Sequence, residues 1–259
     1  MKPRFSIIIT AYNQRKMFEG NIIPALIRQT NQNFELVIAD DGSSDHISEL
    51  TLQQSHGFPI KCVSQEDKGY GYTSIVNKAV KASQGEYLLF LSGDTYPTET
   101  FVEEMARALK PHRVVNGLRV NVDYNGNEIS KDWRLNELPS CERVMMIQGL
   151  EIFPIHHYPE PWKRMTMNTL GCSRIVWDAV GGLTADYDGG YGKMDWSFCM
   201  KAYCSNFELW WQVAAIAYEL NEGGEGRPDD PKNTNFFNKE CELWHNKRKH
   251  YGKRNKNCA

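Results

Sequence analysis

Four short apolar runs punctuate the first part of the chain, at residues 5–9, 34–39, 60–63 and 87–91, each rich in Ile, Val, Leu or Phe. Runs of this length and composition predict strands buried on both faces, as in parallel sheets. Between them, apolar residues recur at helical spacing. Residues 22–29 offer Ile22, Ile23, Leu26 and Ile27 on one face, with Pro24 confined to a first turn. Residues 74–82 offer Ile75, Ala79 and Ala82, and residues 101–109 offer Phe101, Val102, Met105 and Leu109. Thr98 is placed to N-cap the last of these helices, with Glu99 and Glu103 near its positive end and Pro111 to stop it. Strands alternating with helices predict an α/β fold with a mostly parallel central sheet flanked by helices.

After Arg113 the texture changes. Residues 114–129 read as two strands joined at Asn125-Gly126, a strong hairpin signal. Residues 141–161 are loop-rich, residues 166–172 form a strand, and residues 173–180 a short helix ended by Gly181-Gly182. A helix over 195–203, a strand near 209–214 and a terminal helix over 236–249 complete the reading. With neither repeats nor a low-complexity linker, the expectation is one domain over 1–259, built from a nucleotide-binding half (1–112) and an acceptor half (113–259).

Composition narrows the class. The chain has 259 residues, 41% of them apolar, with 30 Lys+Arg against 32 Asp+Glu. Those values describe a globular protein and exclude disorder, collagen and coiled coil. A net charge of −2 gives no global attraction for nucleic acid or anionic lipid, but residues 239–259 carry seven Lys/Arg against two Glu, a basic tail on an acidic body. The seven cysteines are scattered and never paired as C-x-x-C, which argues against a disulfide framework or a zinc site. The N-terminus runs straight into the first strand without a signal-peptide pattern, and residues 207–220 contain Glu208, Gln212 and Glu219, so no membrane span is expected. A cytoplasmic protein is expected, its length sufficient for a catalytic domain alone.

Three strand ends carry polar residues: Thr10-Ala11-Tyr12-Asn13, Asp40-Asp41-Gly42-Ser43-Ser44-Asp45 and Ser92-Gly93-Asp94. Open α/β sheets bind ligands at the carboxyl ends of their strands. There an aspartate can accept from a base or a ribose, or hold a divalent metal beside a diphosphate. Singly, each is an ordinary turn or cap residue; together they point to a shared site.

Phe5-Ser-Ile-Ile-Ile-Thr-Ala-Tyr-Asn13, Ile38-Ala-Asp-Asp-Gly-Ser-Ser-Asp45, Asp67-Lys-Gly-Tyr-Gly71, Asn77-Lys-Ala79 and Gly85-Glu-Tyr-Leu-Leu-Phe-Leu-Ser-Gly-Asp94 resemble, in order and spacing, the successive motifs of family 2 glycosyltransferases with the GT-A fold. The resemblance implies a UDP-sugar donor framed by Thr10, Ala11, Tyr12 and Asn13, with Asp41 at the uracil ring and Asp40 beside it. It extends the donor site to Gly69, Asn77, Ser92, Gly93 and Asp94. Lys68 and Arg119 face the diphosphate or are surface residues. The family's D-x-D motif coordinates Mn²⁺ or Mg²⁺; here Ser92 replaces its first aspartate, leaving Asp94 as the ligand and weakening the site.

Gly171-Cys-Ser-Arg-Ile-Val-Trp-Asp-Ala-Val-Gly-Gly-Leu183 and Asp186-Tyr-Asp-Gly-Gly-Tyr-Gly-Lys-Met-Asp195 are similar to the galactosyltransferase-type acceptor segment. Asp195 matches its catalytic aspartate, and Met194 replaces the preceding glutamate. A carboxylate fixed at a helix start can take the acceptor's proton. Glu219, with Glu222 as a shifted alternative, stands where relatives carry a histidine metal ligand. His156-His157 reads as loop, and Trp133, Trp162 and Trp196 as packing residues or sugar-facing rings.

The resulting expectation is a metal-assisted transferase that moves a sugar from a UDP-sugar to an acceptor hydroxyl, inverting by single displacement with Asp195 as base. The substitutions at Ser92 and Met194 keep open a sugar-nucleotide binder without catalysis. A nucleotidyltransferase is disfavoured, since no Gly-rich, Lys-containing loop follows the first strand. The acceptor stays open among a glycan, a lipid-linked sugar, a protein and a modified nucleobase in DNA.

Overall fold

The computed structural model of the chain describes residues 2–52, 56–123, 126–131, 151–155, 158–220 and 228–255. Its frame is one sheet of strands β1 (Phe5–Ala11), β2 (Phe34–Asp40), β3 (Ile60–Ser64), β4 (Tyr87–Leu91), β5 (Thr95–Pro97), β6 (Arg113–Val122), β7 (Glu128–Lys131), β8 (Ile152–Pro154), β9 (Leu170–Ser173) and β10 (Glu208–Leu220). The order is β3-β2-β1-β4-β9-β6-β10-β5, with β7 added to β6 and β8 to β10. Most of the paired length is parallel, in β3-β2-β1-β4 and in β6-β10. β9 runs antiparallel between β4 and β6, so those two strands point the same way.

The runs at 5–9, 34–39 and 87–91 are buried on both faces, as expected, whereas 60–63 forms the edge strand β3 and is only half-buried. Phe5, Ile7 and Ile9 join one core with Leu36, Ile38, Leu89 and Leu91, whereas Ile8 joins the opposite core with Val37, Leu88 and Phe90. The first core is closed by the helical segments α1 (Arg15–Met17) and α2 (Ile23–Ile27), separated by a π-helical turn at Phe18–Ile22, and by α4 (Phe101–Ala108). The second is closed by α3 (Tyr72–Ala82), α5 (Arg174–Val180), α6 (Met194–Cys204) and α7 (Pro231–Asn255). No helix among the described residues is long and apolar enough to cross a membrane.

Several expectations hold locally. The hairpin of β6 and β7 forms, although Asn125 lies outside the described residues. Ser173 caps α5 by accepting from Val176 N–H, and Gly181 ends that helix at φ 75°, a left-handed conformation natural to glycine.

Others are corrected. Thr98 does not cap α4: its hydroxyl donates to the Ile216 carbonyl, Thr100 occupies the cap position, and Gln29 Oε1 accepts from Val102 N–H. The loop-rich stretch contains a strand, β8, paired with residues 210–212 of β10. β10 itself runs to Leu220, with an irregular register between Trp211 and Ile216. Part of the stretch, residues 141–150, lies outside the described residues, as do Trp133, His156, His157 and Glu222.

Candidate active site

Six strands (β1, β2, β3, β4, β6 and β10) run in one direction, and their carboxyl ends border a cleft of about 1220 Å³. β1 contributes Thr10 and Ala11, followed by Tyr12; Asp41 follows β2; Ser92, Gly93 and Asp94 follow β4. β6 contributes Arg119 and Asn121, and β10 contributes Glu219 and Leu220. Across from them stand Tyr191, Gly192, Lys193, Met194, Asp195 and Trp196. Of the residues expected in a site, Thr10, Ala11, Tyr12, Asp41, Gly69, Ser92, Gly93, Asp94, Asp195 and Glu219 therefore share one cavity.

Four expected donor residues stand off its wall. Asp40 is 5% exposed and accepts from Ser43 N–H, which shapes the loop after β2. Asn13, at φ 56°, accepts from Ser44 through its Oδ1 and ties the ends of β1 and β2 together. Lys68 points to solvent and pairs with Glu66. Asn77 braces Leu183 in both directions, Nδ2 to the carbonyl at 2.8 Å and Oδ1 from the N–H at 3.0 Å.

Asp41 is held by Gln65 Nε2 and by Gly71 N–H at 2.8 Å. Burial pushes its carboxyl above the ordinary value, those hydrogen bonds oppose the push, and the charges of Asp188 and Asp67 add to it. Tyr12 donates to Asp67 at 3.0 Å, closing the cleft's rim over the Asp67-Lys-Gly-Tyr-Gly71 loop. Tyr70 and Tyr72 stack with ring centroids 6.1 Å apart. The Tyr72 hydroxyl is pushed well up by burial, with smaller pushes from Asp195 and Asp94, so it lies within electrostatic reach of both carboxylates.

Asp195 occupies the first turn of α6 and accepts from Trp196 N–H at 2.8 Å. Burial pushes its carboxyl up to about 6, against that hydrogen bond. Asp229 raises it further and Lys193 lowers it. A carboxyl that titrates near 6 is ionised at neutral pH yet basic enough to accept a proton in a reaction.

The Glu219 carboxyl is also pushed up by burial; Arg119 counters this, and the nearby charge of Asp94 adds to it. Its Oε2 accepts from Arg119 at 2.8 Å and from Asn168 at 3.1 Å. Among the described residues, the cations on the cleft wall each hold a carboxylate: Arg119 with Glu219, Lys163 with Glu160 and Lys193 with Asp229. No group of three His, Cys, Asp or Glu ligands occurs among the described residues. Two neighbouring carboxylates, Asp94 and Glu219, nevertheless fit a hard divalent cation, since Mg²⁺ takes one or two protein carboxylates and completes its shell with phosphate and water.

Sequence reasoning missed Asp67, Tyr70, Tyr72 and Tyr191 as cleft residues, although all lie in or beside motifs it had singled out. Asn168 sits on the short 3₁₀ turn Met167–Thr169 and carried no signal. Asp188 was also missed: it accepts from Thr73 N–H at 2.8 Å, Thr73 Oγ1 at 2.7 Å and Ser74 N–H at 3.1 Å, capping α3 from the glycine-rich turn.

Known proteins share parts of this sequence and its fold. The model of the family described as Glycosyl transferase family 2 matches residues 6–169. Validoxylamine A glucosyltransferase of Streptomyces hygroscopicus subsp. jinggangensis is 26% identical over 210 residues, covering 74% of this chain and 49% of that protein. Chondroitin synthase of Escherichia coli is 26% identical over 150 residues, covering 56% of this chain and 22% of that protein. The chain thus spans half or less of the length of these curated relatives. Among solved structures, S. aureus TarS 1-349 in complex with UDP-GlcNAc superposes with a TM-score of 0.63 at 19% identity, covering 95% of this chain and 66% of that one. GalNAc-T7 with UDP, GalNAc and Mn²⁺ gives 0.67 at 12% identity, covering 96% and 49%. These likenesses establish the GT-A fold.

Proposed function

The chain belongs to glycosyl transferase family 2, and from that premise we propose that it transfers a sugar from a nucleotide sugar, a UDP-sugar, to an acceptor hydroxyl with inversion at the anomeric carbon. The observation that carries the proposal is the gathering of Asp41, Asp94 and Asp195 around one cleft at the carboxyl ends of the strands. Support for the donor class comes from the UDP and UDP-GlcNAc complexes of similar fold.

In the proposed reaction Asp195 removes the acceptor hydroxyl proton as the oxygen attacks the anomeric carbon. The bond to the diphosphate breaks on the opposite face, and its electron pair leaves on the phosphate oxygen. A base so positioned contributes about 10²- to 10⁴-fold in rate. Asp41, fixed by Gln65 and Gly71, holds the nucleoside end. Mn²⁺ or Mg²⁺, held by Asp94 with Glu219, would neutralise charge on the diphosphate when bound.

The test is release of UDP from a panel of UDP-sugars, with and without Mn²⁺, across glycan, lipid-linked and protein acceptors, alongside binding of UDP itself. Turnover that saturates with one donor is the expected result. Saturable binding without UDP release would favour the binder, the reading that Ser92 and Met194 keep open. Absence of both would remove the proposal.

A further inference from the structure

We propose that the start of the C-terminal helix, residues 229–233 with Asn233 at its centre, positions Asp195. The proposal rests on the reading of Asp195 as the base.

The segment Asp186-Tyr-Asp-Gly-Gly-Tyr-Gly192 leads directly into α6. Its Asp188 carboxylate ties one point to α3, but beyond it, with Gly189 at φ 88° and Gly192 at φ 94°, the glycine-rich path has few side chains to hold one shape. It is held from outside. Asn233 is fully buried, and its Nδ2 donates to the carbonyls of Tyr187 at 3.1 Å, Gly190 at 2.9 Å and Gly192 at 3.2 Å. Lys232 Nζ takes the Asp188 carbonyl at 3.0 Å, and Asp230 N–H takes that of Tyr191 at 2.8 Å. Asp229 pairs with Lys193 at 2.6 Å.

Five carbonyls between residues 187 and 192 are thus gripped by residues 230–233 of a helix that follows α6 and β10. The grip also explains two glycines. A Cβ at Gly190 would collide with the Asp230 carboxylate, and one at Gly192 with that of Asp229. Asn233 Oδ1 is buried and takes no hydrogen bond among the described residues, an arrangement that is unfavourable for stability in itself. What the asparagine contributes is its donor.

The consequence falls on Asp195, three residues beyond Gly192. Lys193, between them, is the cap residue of α6 at φ 69° and lies 3.7 Å from the Trp196 ring centroid, so the turn's path sets where the helix begins. Asp195 faces Asp229 and Lys193, together with the hydroxyls of Tyr72 and Tyr191. Loosening the turn lets water reach the carboxyl and lowers its titration midpoint.

The test compares wild type with N233A and D229N. N233A is expected to lower kcat at least tenfold with donor KM within twofold, and to move the acid limb of kcat/KM downward from about pH 6. D229N breaks the ion pair with the largely buried Lys193, removes a repulsion on Asp195, and is expected to move the limb the same way; it carries the test if N233A does not fold. An activity-free readout is the stability gained by D195N, which should shrink in the N233A or D229N background. Unmoved limbs and an undiminished D195N gain in both variants would overturn the proposal. If no UDP-sugar is turned over by the wild type while the D195N gain still shrinks, the functional reading fails and the positioning stands.

Discussion

Replacing Asp195 by Asn should damage catalysis and improve stability at once. The Asp195 carboxyl is raised from 3.8 to about 6, chiefly by burial. That difference is about 3 kcal/mol disfavouring the ionised folded state at neutral pH. Because the folded-state value is the higher one, the native protein binds more protons than the unfolded chain between about pH 4 and 6, and this contribution to stability is lost as pH rises through that window. Asparagine keeps the oxygen that accepts from Trp196 N–H but carries no charge to desolvate. At pH 8, D195N should be more stable by up to about 3 kcal/mol, or about 6–12 °C in Tm for a chain of this size. The gap should narrow by about 1.4 kcal/mol at pH 5, where the wild-type carboxyl is mostly protonated in the fold. Urea unfolding of both proteins at the two pH values measures this, and UDP release measures the other half, an expected loss of at least ~10²-fold. A wild type as stable as D195N at pH 8, or a gap that ignores pH, would refute the burial argument. Transfer within threefold of wild type would refute the base.

Three further outcomes follow from other parts of the molecule. D94N should abolish the additional thermal stabilisation that Mn²⁺ gives on top of UDP, while UDP alone stabilises both proteins equally; a ligand at 100 times its Kd is worth about 2.7 kcal/mol. D188A removes an acceptor shared by Thr73 N–H, Thr73 Oγ1 and Ser74 N–H at the start of α3, so urea unfolding should show a loss of about 2 kcal/mol. G117A would press a methyl against the Ala215 carbonyl, where β6 meets the irregular part of β10. Its cost should be about 1–3 kcal/mol, read as a lower urea midpoint with unchanged m-value.

The strands β1, β2 and β4 were legible because parallel strands buried on both faces must be apolar at successive positions, and Phe5 to Ile9 is an instance. α3 and α4 were legible because one apolar stripe repeats at helical spacing. The strand-end aspartates stood out because a carboxylate directly after such a run needs a partner, whether solvent, a ligand or, as at Asp40, the N–H of the following turn. β8 was not legible, since Ile152, Phe153 and Pro154 form a strand only by pairing with β10 at residues 210–212. The true partner of the α4 start, Gln29, lies 73 residues away from Val102, and no local cap rule could name it.

Asn77 and Asp188 show why individual roles in the site were harder to assign than the site itself. Asn77 stands in a family-like motif of the first half, yet its amide is spent on Leu183, 106 residues later. Asp188 stands in the glycine-rich turn of the second half, yet its carboxylate caps α3 in the first. These two exchanges, with the Gly189 N–H to Tyr70 carbonyl bond at 2.7 Å, fix the Asp67–Gly71 loop and the turn before Asp195 to one helix. The two sides of the cleft are therefore set in register by α3 and not by the sheet alone. Loss of either bracing residue should disturb donor binding and proton transfer together, whereas loss of Asp41 or Asp195 should disturb only one of them.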